Sequence, residues 1–462
     1  MDNVKFRFSI LFFFILLEVI LFNRLNQLQF ILSMLEYFFV LICYIKDKKV
    51  GIMYFISFTL LSMGEWSYVI YETPPLNFYG IRLFGVSLNI LFSIFLFLDL
   101  VLSKNKKLKD LNFIKKSKIF FIYIFFIFII GLYNLMISTN YLDNFISDVF
   151  TYIPFIIYIY LISIIDKKSL IIMIKYGVSI TIISFVLSVI FDSKFEYAEN
   201  QSFLLMNAFS FIVPFLVFFM GGVYNKKLYY TQILIVILLL ISGNLFIGGK
   251  FIIIFAITVF WLISKTKQRV YIYSLIILFL FFSKPIFDSI KENFSSNPTI
   301  SWKIQQIEEG LLALNSGNLE LEGSFGNIIN EGAAILSYFK EEEVPFFTGM
   351  GMGGGVPDKN NTLAPLAGNS GYSFIDRERN NYFTMHISIL DVFLKAGIVW
   401  LVLFMLLLIK QFKYNDVYGF ICFILLFTVF YTSKEMMLLT VLFFSLSSKY
   451  KEIHEKSVVY TE

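Results

Sequence analysis

Residues 119–138 read Ile-Phe-Phe-Ile-Tyr-Ile-Phe-Phe-Ile-Phe-Ile-Ile-Gly-Leu-Tyr-Asn-Leu-Met-Ile-Ser, a run without any charged side chain. Lys115, Lys116 and Lys118 stand immediately before it. The hydrocarbon core of a bilayer is about 30 Å thick and a helix rises about 1.5 Å per residue, so a run of this length suits a membrane-spanning helix. The stretch predicts a transmembrane helix with a basic cluster at one end.

The composition of the whole chain extends this argument. Its 462 residues are 58% hydrophobic, 19% aromatic and 15% charged, whereas a typical soluble domain is about 25% charged. A water-soluble globule of this composition would expose large apolar patches, and nine prolines and two cysteines exclude collagenous and disulfide-built chains. The class that remains is an all-α polytopic membrane protein. The net charge of +5 comes from lysines beside apolar runs and does not indicate nucleic-acid binding.

Apolar runs of similar length recur and predict about 14 transmembrane helices (about 12–14). They are too apolar for the alternating strands of a membrane β-barrel. The predicted spans are 8–22, 28–45, 50–71, 80–101, 119–138, 148–165, 170–191, 203–223, 229–247, 250–264, 270–286, 386–409, 416–432 and 434–448.

Lysine and arginine give the orientation of these helices. With the N-terminus in the cytoplasm, most of the 38 Lys and Arg residues fall in cytoplasmic connections, and so does the C-terminus. The predicted organisation is a transmembrane bundle of about 11 helices over 1–284 and a large extracytoplasmic loop over 285–385. C-terminal transmembrane helices over 386–448 and a cytoplasmic tail over 449–462 follow. Cys43 and Cys422 fall near cytoplasmic helix ends, so no disulfide is expected on the outer face.

The large loop differs from the other connections in length and charge, because acidic residues outnumber lysines and arginines in it. Loops of this length are usually functional or disordered. Two stretches, 300–314 and 326–343, have a helical pattern of apolar residues. Gly349, Gly351 and Gly353 follow in the sequence Gly-Met-Gly-Met-Gly-Gly-Gly.

This glycine-rich stretch has two interpretations. Glycine permits positive φ and a close approach of the backbone to a ligand, so the stretch could present N–H groups to a phosphate or sugar. It could equally be a flexible turn between the second loop helix and an irregular segment. A nucleotide-binding loop is not expected, because no strand precedes the glycines and no Gly-Lys-Ser/Thr follows them.

Several ionisable residues fall where lipid is expected. Asp391 and Lys395 are spaced i,i+4 on one helix face, which predicts an ion pair that locks this helix. Arg82 opens the span 80–101 on the outer side, where it could pair with Glu65 or face a ligand. Lys250 opens the span 250–264, where it could reach the membrane surface or neutralise an anionic ligand.

His386 is the only histidine outside the tail. Histidine titrates near neutral pH and can act as a general base. A histidine at a helix start is often structural, but this one follows a long polar loop that ends in Arg377 and Arg379. A single histidine without cysteine or histidine partners at metal-binding spacing predicts no metal site.

These features together resemble the O-antigen polymerase and O-antigen ligase superfamily. The residues that carry the resemblance are Pro345-Phe-Phe-Thr-Gly-Met-Gly351 and His386-Ile-Ser-Ile-Leu-Asp-Val-Phe-Leu-Lys-Ala-Gly-Ile398, together with the many spans and the large late loop. The resemblance implies a glycosyltransferase of the bacterial inner membrane that acts on its outer, periplasmic face. Such enzymes transfer glycan from an undecaprenyl-diphosphate carrier without a cofactor or metal.

The resemblance also implies roles for individual residues. His386 corresponds to the loop histidine that assists the acceptor hydroxyl. Lys250 stands where family members often have an arginine, although a lysine cannot make a bidentate contact with a diphosphate. Members commonly have another arginine before the second loop helix; this chain has none there. Lys303 upstream, or Arg377 and Arg379 downstream, would have to substitute for it.

The function predicted on this basis is polymerisation of undecaprenyl-diphosphate-linked repeat units into O-antigen or capsular polysaccharide, with that glycan as donor and acceptor. Expected partners are the bilayer and, from the same pathway, a chain-length regulator and a flippase. One alternative is an O-antigen ligase that transfers glycan to lipid A-core. An alternative of another class is a lipid-linked oligosaccharide flippase or transporter, although no clear internal repeat is present. A metal-dependent lipid-linked glycosyltransferase is disfavoured, because the first outer connection, Asn23-Arg-Leu-Asn-Gln27, has no carboxylate.

Overall fold

A computed structural model describes a large part of the chain, and the observations below concern that part. The described residues are 6–21, 26–62, 77–78, 80–83, 86–103, 111–191, 194–198, 201–204, 207–211, 324–341, 346–358, 363, 374–383, 385, 387–413, 417–428, 430 and 434–459. Within them the chain is mostly helical.

Eight helices form the N-terminal part of the description. They are α1 Phe8–Leu21, α2 Asn26–Lys46, α3 Lys48–Leu61, α4 Leu88–Leu102, α5 Leu111–Lys116, α6 Lys118–Met136, α7 Leu142–Ser163 and α8 Lys167–Ile190. Two aspartates cap helix starts. Asp47 accepts the Lys49 and Val50 N–H groups at α3, and Asp166 accepts the Ser169 N–H at α8. Such caps satisfy backbone donors that have no partner inside the helix.

The C-terminal part contains five further helices. They are α9 Ser324–Glu341, α10 Phe374–Arg379, α11 Ser388–Lys413, α12 Val417–Thr428 and α13 Lys434–Val459. The backbone of α11 is not helical at Gly397, where φ is 71° and ψ is −174°. This break matters for the candidate site.

Short antiparallel strand pairs lie between some of the described helices. The first pairs β1 Arg82–Leu83 with β2 Val86–Ser87, and the second pairs β3 Lys194–Ala198 with β4 Gln201–Leu204. The third pairs β5 Val356–Pro357 with β6 Asn381–Tyr382, which are distant in sequence. It therefore ties the glycine-rich stretch to the chain just before α11.

The core lies between the helices and is rich in aromatic side chains. Helix α7 packs against α4, α6 and α13, and α12 packs against α11 and α13. Tyr54, Phe58 and Phe155 are almost completely buried. Phe38 and Phe125, by contrast, are 60% and 65% exposed. Apolar side chains on both the inside and the outside of a helical bundle are typical of a protein surrounded by lipid.

Two ion pairs connect helices at one end of the bundle. Lys48, at the turn between α2 and α3, pairs with Asp99 near the end of α4, and Lys49 pairs with Asp166 at the start of α8. Tyr44 of α2 also donates its hydroxyl to Asp99 at 2.6 Å. The turn between α2 and α3, the end of α4 and the start of α8 therefore lie together, as alternating crossings require. The sequence predicts that this end is cytoplasmic.

Among the described residues, five helices are long and apolar enough to cross a membrane: Gln27–Lys46, Phe113–Met136, Leu142–Ser163, Lys167–Ile190 and Ser388–Leu407. Phe8–Leu21, Leu88–Leu102, Val417–Thr428 and Glu435–Ser448 are shorter apolar helices. A helical fold compatible with a membrane is thus observed. The count of 14 spans and the large loop as a unit stay predictions, because residues 212–323 lie outside the described part.

Two predicted spans begin differently from the prediction. The span 80–101 is helical only from Leu88, because the exposed Arg82 and the residues after it form the β1–β2 hairpin. The described start of the span 203–223 contains the end of β4 and a 3₁₀ helix, Ala208–Phe211. The Asn207 side chain accepts the Phe209 N–H at 3.1 Å and so begins that tighter turn.

Candidate functional site

The glycine-rich stretch lies inside the helical bundle, where it completes the broken helix α11. In an unbroken helix the Ile398 N–H would donate to the Leu394 carbonyl. Instead Ile398 donates to the Phe346 carbonyl at 2.9 Å, and the Leu394 carbonyl accepts the Met350 N–H at 2.9 Å. The break at Gly397 thus exposes backbone groups of α11, and residues 346–350 satisfy them.

The next residues of the stretch join α11 to α6. Gly351 donates its N–H to the Lys395 carbonyl at 2.8 Å, and Met352 donates to the Ile127 carbonyl of α6 at 2.9 Å. Both methionines, Met350 and Met352, are 2% exposed. Non-helical backbone at membrane depth is tolerated only where protein or a wet cavity surrounds it. Here protein supplies the hydrogen bonds.

Close backbone approach explains the glycines. Gly349, Gly351 and Gly353 all have positive φ, between 69° and 76°. A Cβ atom on Gly349 would lie 2.5 Å from the Ala396 nitrogen, and one on Gly351 would lie 2.0 Å from the Gly131 nitrogen. Both the conformation and the spacing therefore require glycine. The described N–H groups of residues 350–353 donate to protein acceptors.

Two asparagines hold the other side of the same stretch. Asn134 at the end of α6 donates its side-chain amide to the Met350 carbonyl at 2.8 Å. Asn140 donates to the carbonyls of Met350 and Met352, at 2.9 Å each. These buried carbonyl oxygens accept from the asparagine side chains rather than from helical N–H groups, so the asparagines fix the position of the stretch.

A buried ion pair lies directly beside it. Lys395 of α11 and Asp148 of α7 are 0% and 1% exposed, and the lysine Nζ lies 2.7 Å and 2.6 Å from the two carboxylate oxygens. The Gly353 N–H donates to the same carboxylate at 2.6 Å. The prediction that Lys395 forms its ion pair with Asp391, four residues earlier on the same helix, was therefore wrong, because the observed salt bridge joins Lys395 to Asp148. The lysine side chain reaches across to α7, where the carboxylate also has a backbone donor.

Asp391 has a different hydrogen bond. Its Oδ1 accepts the Met385 N–H at 3.2 Å, and its own N–H donates to the Ile387 carbonyl at 3.4 Å. Asp391 therefore anchors the backbone on both sides of residue 386. It is buried, and the carboxyl groups of Glu331 and Asp148 and the Lys395 ammonium all act on it electrostatically. The site thus concentrates charge from α7, α9 and α11 in a region of low dielectric.

Helix α10 contacts the start of α7. Arg379 of α10 donates to Asp143, with its Nη1 at 2.9 Å and 2.8 Å from the two carboxylate oxygens. Its guanidinium lies 4.5 Å from the centre of the Tyr141 ring. The hydrogen bond to Asp143 raises the pKa of Arg379, so the group stays charged. Asp143 precedes Asp148 by five residues, about 7.5 Å along the helix, so Arg379 stands near the buried ion pair.

The structure brings together four of the predicted site residues: Gly349, Gly351, Gly353 and Arg379. Arg82 stands exposed in a different element, the β1–β2 hairpin. The backbone of Arg377 belongs to α10, and its side chain lies outside the description. His386, Lys250, Lys303 and Glu65 also lie outside the described residues. In the part of the chain that the structure describes, no group of three or more His, Cys, Asp or Glu side chains could hold a metal ion.

Sequence reasoning missed Asp148, Asn134, Asn140 and Gly131. Each is a small or polar residue within or beside an apolar run, which is a signal for an internal contact in a membrane helix. The sequence does not say which distant residues meet them. Compared with models of known protein families, with curated proteins and with solved structures, the chain matches none of them.

Proposed function

We propose that this protein polymerises lipid-diphosphate-linked oligosaccharide repeat units on the outer face of a bacterial inner membrane. The acceptor hydroxyl attacks the anomeric carbon of the donor glycan, and the bond from that carbon to the diphosphate breaks. The carrier diphosphate leaves with the bonding electrons, and His386 takes the proton of the hydroxyl.

A single observation carries this proposal. The family resemblance rests on the stretches 345–351 and 386–398, and the described parts of the two stretches, 346–351 and 387–398, contact each other in the fold. Met350 and Gly351 donate to carbonyls of α11, and Ile398 donates back to Phe346. Two segments that are distant in sequence and that both carry the resemblance therefore lie together, as expected if they build one site.

The charges nearby suit the chemistry proposed. A leaving diphosphate carries negative charge that cationic side chains stabilise, and Arg379 supplies a charged guanidinium at the start of α7, the end that the sequence predicts to face outward. Its side chain is 32% exposed, so a ligand in solvent can reach it. The adjoining Arg377, together with Lys250, Lys303 and Arg82, are the further candidates for diphosphate or substrate binding.

The phenotype of a deletion strain tests this proposal and separates it from ligation. A strain without a polymerase is expected to attach single repeat units to its glycan acceptor, whereas a strain without a ligase attaches none. Restoration of long chains by the wild-type gene supports polymerisation. Complete loss of attached glycan would support the ligase alternative, which transfers glycan to lipid A-core.

A flippase or transporter is the second candidate, and a specific observation favours it. Transporters commonly use interrupted helices and buried charges near a central site, and α11 is interrupted at Gly397 beside the Asp148–Lys395 pair. Vesicles that contain the purified protein and labelled lipid-linked repeat unit distinguish the two functions. Movement of label across the bilayer without chain growth, unchanged in His386→Ala, would support transport.

A further inference from the structure

A second polar centre lies in the N-terminal helices. Helix α2 buries Gln29, Ser33 and Glu36, which follow one another at spacings of four and three residues and so lie on one helix face. Glu18 of α1 is also buried, and Ser62 after α3 donates its hydroxyl to Glu18 Oε1 at 3.3 Å. The helices α1, α2 and α3 pack against one another, so they place these polar groups between them.

Glu36 is the unusual member of this centre. Its side chain is 0% exposed, and neither carboxylate oxygen has a hydrogen-bond partner among the residues that the structure describes. The charged group that acts on it, within that same part of the chain, is the carboxyl of Glu18. Glu36 lies ten residues into α2, about 15 Å along the helix, which is mid-membrane if α2 spans the bilayer.

The surroundings of Glu36 are polar and ordered, which distinguishes them from a simple apolar interior. The neighbouring Tyr37 donates its hydroxyl to the Phe78 carbonyl. Asn89 of α4 donates to Thr59 of α3 at 2.9 Å and accepts from Tyr158 of α7 at 3.4 Å. Hydroxyl and amide groups from several helices therefore reach this part of the bundle, and the side-chain nitrogen of Gln29 is buried without a hydrogen-bond partner among the described residues.

A lone ionised carboxylate is too costly to leave in hydrocarbon, and two neighbouring carboxylates repel each other. A bound cation would cancel the charge of Glu36, and carboxylate oxygens are suitable ligands for a proton or a small alkali cation. We propose that Glu36 and Glu18 bind a monovalent cation, either a proton or a sodium ion, inside the N-terminal helices. This inference is independent of the proposed glycan chemistry, which involves other helices.

An apolar carbodiimide tests the proposal on the purified full-length protein in detergent. Dicyclohexylcarbodiimide adds to protonated carboxyl groups in apolar surroundings, and mass spectrometry of peptides locates the adduct. We expect an adduct at Glu36 or Glu18. If the ion is a proton, raising the pH from about 6 to about 9 suppresses the adduct equally in sodium and choline chloride. If it is sodium, sodium chloride suppresses the adduct at constant pH and choline chloride does not.

Matched variants connect the labelling to the pair. Glu36→Gln is expected to remove the cation dependence of any adduct at Glu18, and Glu18→Gln to remove that of Glu36. A water-soluble carbodiimide serves as the reagent control, because its labelling of carboxyl groups in water should be the same in sodium and choline chloride at constant pH.

A melting-temperature series in sodium and choline chloride over the same pH range gives a measurement that does not depend on reagent access. The melting temperature of the wild-type protein should change with sodium at constant pH, or with pH in both salts, more than that of the double variant Glu18→Gln/Glu36→Gln. Equal changes in the two proteins, or an adduct that responds to neither sodium nor pH, would overturn the proposal.

Discussion

Asp148 of α7 and Lys395 of α11 form a salt bridge that is almost completely buried, although 247 residues separate them in sequence. The carboxylate also accepts the Gly353 N–H. One aspartate therefore joins two helices and the glycine-rich stretch.

Breaking the pair should destabilise the protein. Lys395→Met or Asp148→Asn removes one charge of this buried pair, which typically costs about 3–5 kcal/mol of unfolding free energy. Unfolding of the purified variants in detergent, followed by circular dichroism, measures this cost.

Replacing both partners tests whether the cost comes from the unpaired charge. The double variant Asp148→Asn/Lys395→Met should recover much of the loss, since neutral side chains of similar volume often replace buried ion pairs well. Lys340→Met on the exposed face of α9 is the matched control and should change stability by less than about 0.5 kcal/mol. Equal losses in the double and single variants would argue against a paired role.

The sequence predicts the positions of the helices because each long apolar run favours a helix that can lie in the membrane. Each predicted span outside residues 203–286 has a helix at its position. The sequence does not predict the β1–β2 hairpin before α4. Arg82 and its neighbours lie among apolar residues, and a hairpin of a few residues is shorter than the run of about 20 residues by which a span is recognised. The α11 break at Gly397 was also missed, because one glycine in an apolar run does not reveal a positive φ.

The partners within the candidate site could be predicted only in part. Lys395 stood out as a charge in an apolar run, but spacing along one helix suggested Asp391 as its partner. The observed partner, Asp148, belongs to a distant helix. The sequence likewise does not decide whether the glycine-rich stretch binds a ligand or forms a turn. Glycines show that another group can approach closely, but they do not show which group does so. Here Gly131 of α6 and Ala396 of α11 do so.

Gly351→Ala should destabilise the site strongly. Its positive φ costs an alanine about 1–2 kcal/mol, and the new Cβ would meet the backbone of Gly131, which cannot move independently of α6. Gly332→Ala in α9 is the control, because its nearest neighbour would be 3.7 Å away and alanine favours a helix. Thermal unfolding should rank Gly351→Ala well below the wild type and Gly332→Ala at or above it. The reverse order would contradict the packing described.

The Lys49–Asp166 pair predicts a small acid-dependent loss of stability. Burial raises the pKa of Asp166, but hydrogen bonds from Lys49 and Ser169 outweigh it and lower the pKa to about 2. Because this value lies below the unfolded value of about 3.9, the stabilisation is complete above about pH 4 and is lost as the pH falls towards about 2.

The size of that effect should be modest, since both side chains are partly exposed and such pairs contribute about 1 kcal/mol or less. Asp166→Asn keeps an N-cap acceptor and removes only the charge, so it should abolish this part of the pH dependence. Asp166→Ala should cost about 1 kcal/mol more through the lost cap. A pH dependence that persists unchanged in Asp166→Asn would assign it to other groups.

Arg377 and Arg379 should affect chain growth without lowering membrane abundance. Arg377→Ala and Arg379→Ala are each expected to shorten glycan chains, because a cation that stabilises the diphosphate is lost. Asp143→Asn removes the partner of Arg379 but keeps its guanidinium, so chains should shorten less. Gel analysis of chain length in a complemented deletion strain measures all three. Chains of normal length in both arginine variants would contradict the assignment of Arg377 and Arg379 to diphosphate binding.

Chain growth by the purified protein tests the central claim most directly. Proteoliposomes supplied only with undecaprenyl-diphosphate-linked repeat units, with a chelator and without nucleotide sugar, should produce dimers and longer chains. His386→Ala should slow this growth by about 10²–10⁴-fold, as for the loss of a general base. The account would be contradicted if the folded wild-type protein left the repeat units unjoined. It would also be contradicted if the His386→Ala variant joined them at the wild-type rate.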